Sequence, residues 1–304
     1  MEDSVRIPFW KLQSIGNDFP LVHLADIDTI LKPDAEAPAP DATPFLEQLS
    51  IAICDRRFGV GGDGLLSVGM EGDALRLRMF NPDGTEDFCG NGIRCAAIHA
   101  HGEGWVGDAF NVLHLDKSVA VKIADGLVTT ILGPADYDPE KVPHTAFGQL
   151  FNTNIWSGMD AGQPMSLFGS ALTTGSTHVI FPTIQLPDAE SFASVSAKIE
   201  VAPLFPKRTS VIWSQELAAD RLQILIWERG VGETLGCGTG ASAAAADYLR
   251  RKGRGGTVFV SSKGGALRIR MDAWDAPIEV IGVAEQVYRG TFLFADAISA
   301  APGK

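Results

Sequence analysis

Four cysteines occur in 304 residues, and two of them stand in matching surroundings. Cys89-Gly90-Asn91-Gly92 runs into Ile93-Arg94-Cys95-Ala96-Ala97, and Cys237-Gly238-Thr239-Gly240 runs into Ala241-Ser242-Ala243-Ala244-Ala245-Ala246. Small residues followed by an alanine-rich run predict a helix that begins just after each cysteine. Unpaired N–H groups and the positive end of the dipole at such a helix start favour an anion. A thiol there is expected to ionise below its free value of about 8.5 and to serve as base, acid or nucleophile. The glycines let main-chain N–H groups close on a carboxylate. Two such helix starts facing one another would hold an amino acid's α-carboxylate from both sides, through Gly90, Asn91, Gly238 and Thr239, with one thiol on each face of Cα. A lone cysteine before a helix reads as an inert small hydrophobe. Two in one frame do not.

That frame is an internal echo. Leu75–Ala97 lies over Gln223–Ala245 at a constant offset of 148 residues without a gap, which places Gly84, Gly90 and Gly92 on Gly232, Gly238 and Gly240. In both copies an apolar strand (LRLRMF; LQILIW) precedes a polar turn, the Cys-Gly-polar-Gly motif and the helical run. Two similar α+β halves are implied. Gly133–Pro139, rich in Gly and Pro, lies between the copies and is read as the boundary. The first half is expected to comprise residues 1–133 with about 286–304, and the second 134–285.

Other elements follow from turn and breaker residues. Pro8–Leu12, the Gly16–Phe19 turn and Leu21-Val22 predict a hairpin. Residues 32–44 (KPDAEAPAPDATP) read as a surface loop, and FLEQLSIAI from Phe45 to Ile53 as a short helix. The glycine-rich run 57–64 lacks the Gly-Lys-Ser/Thr ending of a phosphate-binding P-loop and is read as a backbone-tightening turn.

The 37 acidic against 25 basic residues give a net charge of −12, which argues against nucleic acid and anionic membrane as partners. The start of the chain carries acids early with no long apolar run after them, and no stretch approaches the roughly 18 apolar residues of a spanning helix. A cytoplasmic protein acting on a small molecule is expected. Cys54 and Cys95 fall outside the echo and read as structural thiols. No C-x-x-C or finger-like His/Cys spacing points to a metal. His99 and His101 read as helix-end residues.

Several segments together resemble the diaminopimelate epimerase family: KLQSIGNDF, DRRFGVGGDGLL, FNPDGTEDFCGNGIRC, ERGVGETLGCGTGASAAA and GVAEQVYRG, in order from Lys11 to Gly290. The resemblance implies two similar halves, each a mostly antiparallel sheet wrapped around a central helix, with the active site in the cleft between them. It implies epimerisation of LL- and meso-diaminopimelate without cofactor or metal, on the route to lysine and peptidoglycan precursors, by a homodimer. Cys89 and Cys237 would be the two acid/base thiols, and His178 and Glu228 would stand beside them to polarise a thiol or hold the substrate ammonium. Asn17, Asn81 and Arg229 match substrate-binding positions, with Arg229 the natural bidentate partner of the distal carboxylate.

The chain departs from the family where Gly-Asn-Pro-His becomes Gly175-Ser176-Thr177-His178 and Arg-Val-Asn becomes Arg208-Thr209-Ser210. Ser176 and Ser210 thus stand where asparagines that meet the far end of the substrate are usual. The turn from Asn81 to Cys89 is one residue shorter than the family spacing. These departures keep a racemase of another amino acid open as an alternative. Outside that class, the two thiols also fit a redox protein, and the helix starts a non-catalytic amino-acid binding module.

Overall fold

The computed structural model describes residues 4–32, 41–160 and 162–295. Its contacts divide into two compact units, Met1–Val128 with Val283–Lys304, and Thr129–Gly282. Both divisions fall a few residues before the expected 133/134 and 285/286. Gly133–Pro139 packs as part of the second unit, where Asp136 exchanges main-chain hydrogen bonds of 2.9 and 2.8 Å with Thr173. Pro and Gly mark where a strand ends, whereas pairing decides which body the strand joins.

In the first unit β1 (Ser4–Ser14) and β2 (Asn17–His23) form the hairpin. Its turn is Ile15-Gly16, at φ 47° and 80°, the left-handed pair that a two-residue hairpin connection requires. Asn17, Asp18 and Phe19, expected in the turn, therefore open β2. Positive φ strains a β-branched residue, and the nearly complete burial of Ile15 opposes that strain. α1 (Leu24–Leu31) and α2 (Thr43–Ile53) follow. α2 begins inside the stretch read as a loop, because a proline in the first turn has no N–H to satisfy and a φ already suited to a helix. Residues 33–40 of that stretch lie outside the described residues.

β3 (Leu65–Glu71) and β4 (Ala74–Phe80) lead into α3 (Gly90–Gly102), then β5 (Ala109–His114) and β6 (Lys117–Ala124). β7 (Leu127–Leu132) carries the chain into the second unit. There β8 (Thr153–Asp160), β9 (Gln163–Thr173) and β10 (Thr177–Thr183) precede α4 (Ala189–Glu200). β11 (Ser210–Ala218), β12 (Arg221–Glu228) and the short β13 (Gly232–Thr234) lead to α5 (Gly238–Lys252). β14 (Gly256–Ser262), β15 (Gly265–Met271) and β16 (Ile278–Gly282) complete that unit. β17 (Glu285–Ala295) returns to the first, antiparallel to β1.

Most strand pairs in each unit are antiparallel, with parallel pairs where helices intervene: β2 with β3 across α1 and α2, β4 with β5 across α3, β10 with β11 across α4, and β12 with β14 across α5. α3 is buried at every position from Asn91 to Ala97, and α5 from Gly240 to Leu249. A helix buried on all sides is surrounded by its sheet instead of lying on it. The strands β1–β4 and β17 pack around α3, and β9–β12 with β14–β16 around α5. Alanine suits that place, since it admits strands closely and favours helix. The α+β class and the duplicated sheet-around-helix plan are as expected. Among the described residues no helix is long and apolar enough to cross a membrane.

Candidate active site

Each motif cysteine is the N-cap of its buried helix, in the extended conformation that lets a side chain fold back over the first turn. Cys89 has φ −135° and ψ 109°, and Cys237 has φ −131° and ψ 117°. The sulfurs accept the N–H of Gly92 at 3.3 Å and of Gly240 at 3.4 Å. A Cβ added at Gly92 would stand 2.9 Å from Leu66 Cδ2, and at Gly240 2.9 Å from Ile212 Cδ1, with the cysteine Sγ at 3.5 Å in both. A Cβ at the third residue after the cysteine would thus press on the end of a buried aliphatic side chain in the same way in each half. Nothing lies within 4 Å of a Cβ built on Gly90, so the start of α3 is open.

Around Cys89 the side chains form an amide and carboxylate network. Asn91 donates to Asn17 Oδ1 at 3.2 Å, and Asn17 donates to Asp63 Oδ2 at 2.5 Å. Buried Arg94 donates to Asn91 Oδ1 and, at 3.0 Å, to Ser14 Oγ. Arg56 joins Asp63 and Asp18 at 2.7 Å each, and Lys11 joins Asp18 at 2.6 Å. Asn17 and Asn91, 74 residues apart, are thus brought together. Asn81 closes the turn that delivers Cys89, donating through its side chain to Thr85 Oγ1 at 3.0 Å. The Cys89 N–H itself donates to His114 Nε2 at 3.0 Å.

Around Cys237 the partners are hydroxyls and one acid. Thr239 Oγ1 lies 3.3 Å from the sulfur and 3.0 Å from Ser176 Oγ, which in turn lies 2.9 Å from His178 Nε2. His178 therefore reaches the thiol through two hydroxyls. Thr174 donates to the Thr239 carbonyl at 2.9 Å. Glu228 stands beside the sulfur, held by the Thr234 hydroxyl at 2.5 Å. Ser210 Oγ accepts the Arg229 N–H at 3.1 Å, fixing the turn from which the exposed Arg229 side chain extends. The Glu200 carboxylate holds the other side of that turn through the Gly230 N–H at 2.6 Å and Trp227 Nε1 at 2.7 Å.

Charge around Cys237 runs against the expectation of a lowered thiol pKa. Burial pushes the thiol up, Glu228 pushes it further, and the bonds from Thr239 and Gly240 only oppose this in part. A helix start lowers a thiol pKa where water or cations share the site; desolvation wins where they do not. Burial also lowers His178 to about 3, with the Arg229 charge adding to it, so its imidazole is neutral. Cys95 and Cys54 are buried structural thiols, and burial raises Cys54 to about 12.

Sequence reasoning missed Asp63, Arg94, His114, Glu200 and Thr234. Asp63 and Thr234 sit inside motif segments, where a polar residue among glycines is the available signal. His114 and Glu200 lie at the ends of a plain strand and a plain helix, with no local mark.

Comparison with known proteins bears on the whole chain. A family model described as diaminopimelate epimerase matches residues 11–137 and 170–287. A diaminopimelate epimerase of Acaryochloris marina is 33% identical, covering 95% of this chain and 99% of that protein. One from Desulforudis audaxviator is 33% identical, covering 94% and 99%. Among solved structures, a hydroxyproline epimerase from Agrobacterium vitis superimposes with a TM-score of 0.63 over 96% of this chain and 94% of its own, at 11% identity. A methylitaconate-delta-isomerase does so with 0.60 over 99% of both, at 12% identity. The two structures speak for the fold, and the matching residues and full-length relatives for the lineage: this chain is an isomerase that belongs to the diaminopimelate epimerase family.

Proposed function

We propose that the protein interconverts LL- and meso-2,6-diaminopimelate by moving the Cα proton between Cys89 and Cys237. The observation that carries this reading is the equal placement of the two sulfurs, each folded over the first turn of a buried helix with near-identical torsions. A two-base exchange needs one thiolate and one thiol. Burial and Glu228 favour the proton on Cys237, so Cys89 is the base in the resting enzyme. Its thiolate takes the Cα proton and becomes a thiol; the Cys237 thiol gives its proton to the opposite face and becomes a thiolate. The enzyme then holds the reversed protonation state, ready for the reverse turnover or for proton exchange with water.

The Cα–H is a weak acid, so the barrier falls only if the charge passing into the α-carboxylate is met by prearranged donors. The N–H groups of Gly90, Asn91, Gly238 and Thr239 at the helix starts are the donors for that task. Asn17 and Asn81, with Arg229 as bidentate partner, serve the distal amino-acid end. Glu228 and neutral His178 set the proton on Cys237, Glu228 directly and His178 through Ser176 and Thr239. The chemistry calls on no cofactor or metal. The enzyme acts in the cytoplasm on the route to lysine and peptidoglycan precursors, as a homodimer.

A second reading, a racemase of a different amino acid, draws support from Ser176 and Ser210, whose hydroxyls are engaged with His178, Thr239 and the Arg229 main chain. Incubation of reduced protein with LL-diaminopimelate in D2O decides between them. Meso product carrying deuterium at Cα is the expected outcome. No exchange with this substrate, but exchange with another amino acid, would transfer the mechanism to the second reading.

A further inference from the structure

His114, the last residue of β5, is completely buried. Its ring stacks on Phe88, with centroids 5.0 Å apart and planes at 22°. The Cys89 N–H points at its Nε2 from 3.0 Å. A main-chain N–H can only donate, so Nε2 carries a lone pair and the proton of the neutral ring sits on Nδ1. Nδ1 is itself buried and has no hydrogen-bond partner among the described residues, so the Cys89 N–H is the contact that fixes the tautomer.

We propose that His114 is a positioning residue for Cys89: by accepting the Cys89 N–H it holds the cysteine in the extended N-cap conformation in which Sγ receives the Gly92 N–H. The hydrogen bond ties the chain entering α3 to the end of β5. Without it the torsions of Cys89 are free to relax, and the 3.3 Å contact from Gly92 to the sulfur, which favours the thiolate, loses its geometry. The charges that face the ring are Glu86, Asp87 and Lys117, the last also lying over Phe88 at 4.5 Å. Burial outweighs the two acids and lowers the imidazole to about 4, so His114 remains an acceptor throughout the range in which a thiolate forms. The arrangement belongs to one half only. Leu77 corresponds to Leu225 in the second half, and the register of β12 on β14 puts Lys263 at the place of His114, where its ammonium pairs with Glu233.

The consequence for turnover rests on Cys89 being one of the two bases; the test reads Cys89 directly. In full-length protein labelled with 15N-histidine, a long-range 1H–15N spectrum reports the tautomer of His114, assigned by the resonance lost in His114→Gln. The Nδ1–H form is expected, and an Nε2–H form overturns the proposal. Alkylation of Cys89 by iodoacetamide, located by peptide mass spectrometry and followed against pH, gives the second readout. His114→Leu is expected to slow Cys89 at neutral pH about tenfold and to raise its midpoint by about one unit, with the Cys237 midpoint unmoved. His114→Gln, whose amide oxygen reaches the place of Nε2, is expected to restore the rate to within about twofold. An unaltered Cys89 profile in His114→Leu, an equal shift at Cys237, or no rescue by His114→Gln each overturns it. Should His114→Leu fail to fold, the tautomer and His114→Gln still decide. Failure of diaminopimelate exchange would remove the proposed substrate and leave these readouts of Cys89 unaffected.

Discussion

The starts of α3 and α5 share a backbone and differ in what surrounds it. Cys89 is half-buried, its N–H held by an imidazole and its neighbours an amide network tied to two carboxylates and their cations. Cys237 is buried, with a carboxylate on one side and hydroxyls leading to a neutral histidine on the other. Duplication copied the geometry of a capped thiol. Divergence of the residues that arrive from other strands gave Cys237 a burial and a neighbouring carboxylate that raise its thiol. A two-base exchange works from one thiolate and one thiol, a state that two coupled thiols can share; different surroundings decide which of them keeps the proton at rest.

The comparison breaks first at the sulfurs. Cys89→Ser and Cys237→Ser are each expected to lower kcat for epimerisation about 10³-fold, measured by the LL to meso ratio; a variant that retains full activity removes its residue from the reaction. Glu228→Gln tests the asymmetry itself. Removing the negative charge beside Cys237 is expected to move its alkylation midpoint down and to lower kcat by about 10- to 100-fold; an upward move contradicts the assignment of the resting proton. In the unaltered enzyme near neutral pH, iodoacetamide is expected to label Cys89 about tenfold faster than Cys237. Equal labelling would mean that burial does not separate the two.

Acid should distinguish the units more gently. His99 and His114 of the first unit are held by burial near 4, and His178 of the second near 3, all below the unfolded value of about 6.5. The unfolded chain therefore binds more protons below that value. The stability tied to these neutral rings is fully present above about pH 6.5 and is lost as pH falls toward 4 in the first unit and 3 in the second. Burial also lowers His23 in the first unit and His144 in the second; with three lowered rings against two, β5 and α3 should lose hydrogen-exchange protection before β10 as pH is lowered. Simultaneous loss would show that the histidines do not set the acid limit.

What the sequence determined by itself was what repeats locally. In both copies Cys-Gly-polar-Gly before an alanine run gives a capped helix, because capping, close approach at glycine and helix propensity act within a few residues. The offset of 148 therefore located both thiols and both central helices. Local signals were less exact at edges: the turn lay at Ile15-Gly16 and not at Asn17, α2 began at Thr43, and the unit boundary fell at Val128/Thr129. Only the tertiary structure decided the shells of the two sulfurs. His114 is 25 residues from Cys89, Ser176 is 63 from Thr239, and Glu200 is 30 from Gly230. Pairing of distant strands sets such contacts, and no local propensity records them. The same holds for the Cys237 thiol: the helix start favouring its thiolate is written in the motif, whereas the desolvation and the Glu228 charge that outweigh it exist only once the sheet has closed around α5.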